Sequence, residues 1–444
     1  MKTRGGFGGW LALITLAGFA LRVGYVLIFR VGHVPFGGDA LYFNKLANLL
    51  AQGHAFNAPA GLISDRSVPL AEHPPVYASW LAIASWFGDG HQLGQTAQML
   101  WSCVLGAGTI TLCGLAGREI AGARCGIVAA VLAALYPNIW VHDGMLLSET
   151  AAIFAVSLVL FLAYRYWREP GMGRVLAVGL ACGFAALTRA ELILAIGFVV
   201  LPLVLLVRDI PWSRRLLQLA AAGLAALFVI GPWVGYNLSR FRDPVYISIG
   251  YGGTIAAANC DTVYYGGNIG WKSYGCGYQR AAKVITPDMD PSQAEHALQE
   301  ETMKYIRAHT SRVPIVVAAR LGRIIGVFHP TTDIKFDETV MHREPIVAWS
   351  TLISWYMLVP IAFAGAVILR RRRVPVMPLL AFPVIVLISV AITFAQLRYR
   401  APAEPAVVLL AAVAIAWFID RRRPEPAETR GESAVDPDPA PLPG

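Results

Sequence analysis

The chain has 444 residues, of which 56% are hydrophobic and 15% charged, and carries a formal net charge of +9; its mean hydropathy is +0.54. So much apolar surface excludes a soluble globular protein and points to a polytopic membrane protein. The positive charge belongs mostly to loop arginines that set topology, with no separate nucleic-acid signal.

Candidate spans run over 10–29, 94–117, 125–141, 148–166, 175–188, 191–207, 216–236, 346–369, 375–395 and 402–419. Several are shorter than the roughly 20 residues that a straight span needs, so their edges are loose. Trp10 and Phe29 fall near the two interfaces of the first span, where aromatic side chains prefer to lie. With Lys2 and Arg4 inside, the inside loops carry Arg118 and Arg124, then Arg165, Arg168 and Arg174. They go on to carry Arg208, Arg214 and Arg215, then Arg370–Arg373, and last Arg421–Arg423. Every short inside loop is therefore Arg-rich, as the positive-inside rule requires, and ten spans leave both termini cytoplasmic. The apolar segment Val313–Phe328 is interrupted by Arg320 and Arg323, and as an eleventh span it would move Arg370–Arg373 outside. It reads as interfacial or packed within a loop.

This divides the chain into an N-terminal transmembrane module, 1–236, whose first outer loop is 30–93, an extracytoplasmic loop, 237–345, and C-terminal membrane helices, 346–420. The tail from residue 421, rich in Pro, Glu, Asp and Ala, reads as disordered on the inside. No cleaved signal is needed to explain the first segment, because later spans anchor the chain. Cys103, Cys113, Cys125 and Cys182 lie in or beside spans and read as small packed apolar residues. Cys260 and Cys276 lie in the outer loop, where an oxidising compartment favours a disulfide; a metal pair is the alternative.

Polar residues cluster on the outer side, at Asp39–Tyr77, Tyr136–Glu149, Thr188–Glu191, the 237–345 loop and Gln396–Arg400. A transporter would instead place ionisable groups or broken helices near the bilayer midplane. Arg22 is the exception, 12 residues past Trp10 and so about 18 Å along a helix. From there it either snorkels to outer phosphates or points into the bundle. After Asp39, the residues Phe43, Leu46, Leu49 and Leu50 follow helical spacing while Asn44, Asn48 and Gln52 line another face, the pattern of an interfacial helix. Pro74 and Pro75 introduce a second short helix, Val76–Phe87, with Trp80 and Trp86 suited to the headgroup region.

Six motifs follow in order: G-G-D-A-L-Y-F at 37–43, H-P-P-V-Y at 73–77, Y-P-N at 136–138, L-L-S-E-T at 146–150, L-T-R-A-E at 187–191 and R-Y-R-A-P-A-E-P at 398–405. With these residues the chain resembles the GT-C glycosyltransferases, specifically the polytopic group of protein O-mannosyltransferases and the lipid A aminoarabinose transferase. With the spans read above, this gives an all-α, GT-C-type bundle of about ten transmembrane helices with outer-face interfacial helices and one long extracytoplasmic loop, a span count that departs from several relatives. The resemblance implies a transferase that takes a sugar from a polyprenyl-phosphate donor on the outer face, with an acidic residue of the first outer loop at the active site. By motif match that residue is Asp39. Protein mannosyltransferases usually carry an Asp-Glu pair where this chain has Asp39-Ala40, which argues against assuming a protein acceptor. The acceptor class stays open among envelope glycan, lipid and protein, and the composition points to a bacterial plasma membrane.

Transfer from a polyprenyl phosphate passes through an oxocarbenium-like state, and the phosphate leaves as a stabilised anion, so a general acid is dispensable. One base and several cations then suffice. No nucleotide-sugar fingerprint is present. Asp39 is the candidate base or acceptor-orienting group, against a plain helix N-cap. The candidate substrate-binding residues are Tyr42, His73, Tyr77, Glu149, Arg189, Arg398, Tyr399 and Arg400. Each has a bland alternative: an interface aromatic for Tyr42, an extended exposed residue before proline for His73, and a helix-dipole carboxylate for Glu149. Thr188 and Glu191 match a capping box, which leaves Arg189 for phosphate. Arg398 and Arg400 run against the topology bias and suit bidentate phosphate contact, with plain headgroup binding as the alternative. No cofactor is certain; a divalent metal among Asp39, Glu72 and His73 is the one such alternative. Two other classes remain beside the transferase, a lipid-linked-sugar transporter or flippase and a non-catalytic envelope assembly factor.

Overall fold

The computed structural model describes residues 6–32, 38–58, 68–87, 92–207 and 210–422. The expected inside residues Lys2, Arg4, Arg208 and Arg423, Gly37 of the first motif, and the tail beyond residue 422 lie outside them. Helices α1 (Gly6–Tyr25, continued as a π turn over Val26–Arg30), α2 (Gly38–Ala51) and α3 (Pro75–Ser85) open the chain. Next come α4 (Gln92–Ala121), α5 (Ala123–Leu135), the short α6 (Pro137–Trp140), α7 (Glu149–Arg168), α8 (Met172–Ala186), α9 (Leu201–Leu206) and α10 (Trp212–Leu238). The outer segment follows as α11 (Tyr251–Ala258), α12 (Asp261–Tyr264), α13 (Tyr274–Val284), α14 (Pro291–Ala308), α15 (Val313–Ile324) and α16 (Pro330–Thr339). The chain closes with α17 (Pro345–Arg371), α18 (Met377–Ile392), a 3-10 segment over Leu397–Ala403 and α19 (Glu404–Arg421).

Among the described residues, six helical segments are long and apolar enough to cross a membrane, and four shorter apolar ones, Ala123–Leu135, Met172–Ala186, Ala190–Leu206 and Met377–Ile392, fall at the other expected spans. The outward faces of α1, α10 and α17 expose Leu13, Leu16, Leu224, Phe228 and Phe363, as lipid-facing helices do. This is a multi-pass membrane protein. Val313–Ile324 is only 12 residues long and packs within the outer segment. Arg320 there donates to the carbonyls of Ala258 and Ala391, and Arg323 to those of Ile269 and Gly267. The two arginines that broke its apolar pattern are buried clamps, Arg320 between the outer segment and the end of α18 and Arg323 within the outer segment.

Helices in lipid gain little from apolar burial against one another, so close backbone approach must hold them together. The sequence supplies it with small residues. A side-chain carbon at Gly365 of α17 would fall on the carbonyl oxygen of Leu410 in α19, and one at Gly179 of α8 on that of Ala222 in α10. Ala129, Ala130 and Ala133 of α5 and Ala406, Ala411 and Ala412 of α19 fill the same core. Arg22 points into the bundle rather than toward headgroups. Its Nε donates to Asp143 Oδ2 at 2.9 Å and its Nη atoms to the carbonyls of Gly18, Ala133 and Ala134.

α2 and α3 pack together against α4. The polar face expected for α2 is spent inward: Asn44 Nδ2 donates to Gln98 Oε1 at 2.9 Å, and Gln98 Nε2 donates to Asn48 Oδ1 at 3.1 Å. Trp80 stacks on Trp101 at 4.8 Å, while Trp86 stays exposed. In the outer segment, Cys260 and Cys276 are disulfide-bonded, beside a small core of Val263, Tyr264, Ile269 and Val316. Closing so short a loop stabilises the folded state by about 3 kcal/mol in the chain-entropy account. Non-reducing peptide mapping of native membranes is expected to recover Cys260 joined to Cys276, and replacing both with alanine to lower stability by about that amount. Two free thiols would refute the pairing.

Candidate active site

Five of the residues singled out from sequence converge at one end of the bundle, although they come from five separate segments. Asp39, in the first turn of α2, accepts from Arg398 Nη2 at 2.6 Å through Oδ2, and its Oδ1 lies 3.8 Å from His73 Nε2. The other side of Arg398 faces Glu149, the first residue of α7, with Nε 3.7 Å from Oε1. That same carboxylate oxygen lies 3.2 Å from Arg189 Nη1. The result is an alternating chain of charge, His73–Asp39–Arg398–Glu149–Arg189. Glu149 is 1% exposed and Arg398 8%, whereas Asp39 is a third open to solvent, so the chain runs from the protein interior to the surface.

Aromatic rings wall this chain. His73 stacks on Phe43 at 4.9 Å and meets the edge of Tyr42 at 5.0 Å; Phe43 in turn meets Tyr77 at 5.0 Å. Tyr399 accepts from Arg398 at 3.3 Å and presents its ring to Arg189 at 5.2 Å. Tyr77 lies one layer deeper, fully buried, with its hydroxyl 3.0 Å from Ser102 Oγ. Tyr42 is buried as well. Partial burial alone would raise the pKa of Asp39, but the Arg398 guanidinium, His73 and Lys272 outweigh it and hold the carboxyl well below the usual carboxylate range. These cations favour the ionised form of Asp39. It lies inside α2 rather than ahead of it, and its carboxylate is engaged by another segment, so the N-cap alternative does not describe it.

Two expectations give way to different geometry. Thr188 does not cap a helix, because its hydroxyl donates back to the carbonyl of Ala185 at 2.7 Å. The following turn is 3-10 without a side-chain cap, and Glu191 accepts from Arg189 Nε at 2.6 Å instead. The capping-box pattern failed because Glu191 has a stronger, charged partner two residues away. Arg400 does not join Arg398. It is buried, donates to Glu404 Oε1 at 2.6 Å and lies 3.7 Å over the Trp355 ring. Glu404 also accepts from Tyr136, whose oxygen accepts from Asn138. The Y-P-N and A-E-P motif residues thus form one buried network with Arg400 that joins α6, α17 and α19. In a 3-10 turn of three residues, positions two apart point different ways, which separates the two arginines.

Two further residues complete the mouth. Lys272, between the disulfide's two half-cystines in sequence, donates to Tyr274 Oη at 2.7 Å and Gln396 Oε1 at 3.3 Å. Gln396 Oε1 also accepts from Arg398 Nε at 3.2 Å. Nothing in W-K-S-Y marks this lysine as a site residue; only the fold brings it there, through the pairing of Ala395 N with Gly270 O at 3.2 Å. No group of three or more His, Cys, Asp and Glu side chains among the described residues is arranged to hold a metal ion.

The bundle with this charged mouth has the fold of the GT-C glycosyltransferases. It is similar to the archaeal oligosaccharyltransferase AglB from Archaeoglobus fulgidus, solved with an inhibitory peptide and a dolichol-phosphate, with a TM-score of 0.57 and 13% identity over 95% of this chain. The same enzyme tethered to an acceptor peptide containing the NVT sequon gives a TM-score of 0.54 and 14% identity, over 95% of this chain and 50% of that one. This chain spans about half of the length of those relatives, 51% in the first case. ArnT from Cupriavidus metallidurans bound to undecaprenyl phosphate is matched at a TM-score of 0.46 and 16% identity, over 94% of this chain and 79% of that one. No protein-family model matches the sequence, and no curated protein matches it either.

The Arg400–Glu404 pair gives a direct test of its structural role. Arg400→Ala leaves a buried carboxylate unpaired and is expected to cost about 3–5 kcal/mol, whereas Arg400→Met with Glu404→Leu recovers most of the loss. Thermal midpoints in detergent measure both; an unchanged midpoint for Arg400→Ala would return Arg400 to the list of substrate contacts.

Proposed function

We propose that the chain is a membrane glycosyltransferase that moves a sugar from a polyprenyl-phosphate donor to an acceptor on the extracytoplasmic face. The observation that carries this reading is the chain of charge from His73 through Asp39 and Arg398 to Arg189, gathered at one end of an apolar bundle. Ion pairs at the end of a span are costly to assemble unless they meet a polar ligand or water there. The GT-C fold adds to the reading, because solved relatives with that fold hold dolichol-phosphate together with a peptide. In this reading both termini are cytoplasmic, the mouth faces outward and the membrane is a bacterial plasma membrane. The acceptor is an envelope glycan, lipid or protein.

The chemistry follows from the site. The acceptor hydroxyl lies against Asp39, the one carboxylate of the chain of charge that is open to solvent, and donates a hydrogen bond to it. The acceptor oxygen attacks the anomeric carbon as the bond to the phosphate oxygen breaks with its electron pair left on the phosphate. With bond formation the acceptor oxygen becomes strongly acidic, so its proton passes to Asp39 late in the step and then to water. A strong base is unnecessary there, which suits a carboxylate held at low pKa by Arg398. Arg398 fixes Asp39 in place, and Glu149 and Arg189 fix Arg398. His73 lies beside Asp39, with Tyr42 buried behind it.

The test compares wild type with Asp39→Asn across a panel of polyprenyl-phosphate sugars. Asparagine keeps the size and the hydrogen-bond acceptor but removes the charge. Transfer or donor hydrolysis is expected to fall by about 10²–10⁴-fold, with an unchanged gel-filtration profile. Equal turnover in the two proteins would remove Asp39 from the mechanism.

A further inference from the structure

The arginines at the mouth are already committed. Arg398 is paired with Asp39 and faces Glu149, and Arg189 lies against Glu149 and Glu191. Lys272 is different. Among the described residues it makes no ion pair, and its two hydrogen bonds go to neutral oxygens, those of Tyr274 and Gln396. Its ammonium lies over three rings, Tyr274 at 4.6 Å, Phe394 at 5.0 Å and Phe336 at 5.3 Å, which favour a cation without neutralising it. An ammonium has three donors, so one stays available.

A second observation points the same way. Gln396 is 1% exposed, and its Nε2 has no hydrogen-bond partner among the described residues. Turning the amide over would aim that NH2 group at Lys272 and Arg398, which are both donors, so its orientation is fixed by their bonds to Oε1. The buried Nε1 of the neighbouring Trp271 also lacks an acceptor. A cation and the unspent donor of Gln396 beside it call for an oxyanion.

We infer that Lys272, carried to the mouth by the outer segment, binds the phosphate monoester left on the lipid after transfer, with Gln396 as its neutral partner. This rests on the proposed transfer reaction and deepens it. The donor is a phosphodiester with one negative charge. Once the anomeric C–O bond breaks, its electron pair leaves the phosphate as a monoester carrying about −1.5 to −2 near neutral pH. A cation without a carboxylate partner strengthens its contact as that charge develops, which is the form of stabilisation that accelerates a reaction. The arginines hold the carboxylates in place, and Lys272 responds to the leaving group.

Lys272 also gives this contact a pH dependence. Burial, and after it Arg398, lower its pKa to about 7 against the opposing pull of Asp39, Asp333 and Glu149. Asp333 is itself pushed up to about 7 by burial, so it titrates over the same range. The ammonium form, and with it the attraction for an anion, is present below that range and lost above it unless a bound phosphate holds the proton on.

The experiment is calorimetric titration of the detergent-purified full chain with geranylgeranyl monophosphate, geranylgeraniol and inorganic phosphate at pH 6 and pH 8.5. Wild type is expected to bind the lipid monophosphate, the alcohol at least tenfold more weakly, and inorganic phosphate weakly at both values. Lys272→Met is expected to lose about tenfold for the monophosphate at pH 6. Lys272→Arg keeps wild-type binding at pH 6 and retains it at pH 8.5, where wild type weakens. Asp333 is common to all three proteins, so only the contrast with arginine isolates Lys272. If Lys272→Met does not fold, the contrast between wild type and arginine carries the test alone. Equal binding by all three proteins would overturn the role of Lys272 while leaving the lipid-phosphate reading intact. Equal binding of monophosphate and alcohol by wild type would overturn both, and inorganic phosphate bound as tightly as the lipid would make the site a free-phosphate site.

Discussion

The guanidinium of Arg398 is the interaction on which the outer end of the bundle depends. It follows the break between α18 and α19 and lies between two carboxylates from distant parts of the chain, Asp39 and Glu149. Without Arg398, Asp39 and Glu149 would face each other with no cation between them, and Glu149 is buried. Like charges so placed repel each other, leaving only Arg189 against Glu149 and His73 beside Asp39 to offset them. Arg398 thus fixes the charge state of the mouth as well as its shape. It also sets the limits of the chemistry: a carboxylate held this firmly is a weak base, suited to taking a proton only from an oxygen that has already become acidic.

The rest of the bundle makes that arrangement affordable. Close backbone contact at Gly365 and Gly179 and the alanine-filled core lock the helices without polar groups. Where charge enters the core beside Arg22 and Arg400, it is paired. Arg22 uses Nε for Asp143 and its Nη atoms for backbone carbonyls, and Arg400 is held by Glu404. Arginines deep in the bundle are thus paired structurally, those of the outer segment such as Arg320 and Arg323 clamp backbone carbonyls, and Arg398 belongs to a chain of charge that reaches solvent at the mouth.

Much of this was legible before the structure. The membrane class, the helical segments at every expected span and the disulfide follow from hydropathy and loop charge, and motif order places Asp39, His73, Arg189 and Arg398 on one side, though together with Arg400 and with Glu149 as a weaker candidate. The misreadings share one physical cause: sequence spacing says which residues are near a place, not which way they point. Arg398 and Arg400 are two residues apart and serve different networks. The asparagines of α2 form a polar face, but it meets Gln98 rather than water. Thr188 and Glu191 have capping-box spacing, yet each found a nearer partner. Lys272 carried no signal, because its place is decided by how a long outer segment folds back onto the end of α18.

The 3-10 stretch Leu397–Ala403 has a consequence for how this chain can vary. Each residue there turns the backbone by about a third of a circle, so side-chain direction is set by counting from the end of α18. Inserting or deleting one residue between Thr393 and Arg398 would shift Arg398 away from Asp39 while leaving hydropathy and every motif letter nearly unchanged. Substitutions that keep the count are absorbed more easily than a change of length. At this turn the chain is constrained as a ruler as much as by its choice of residues.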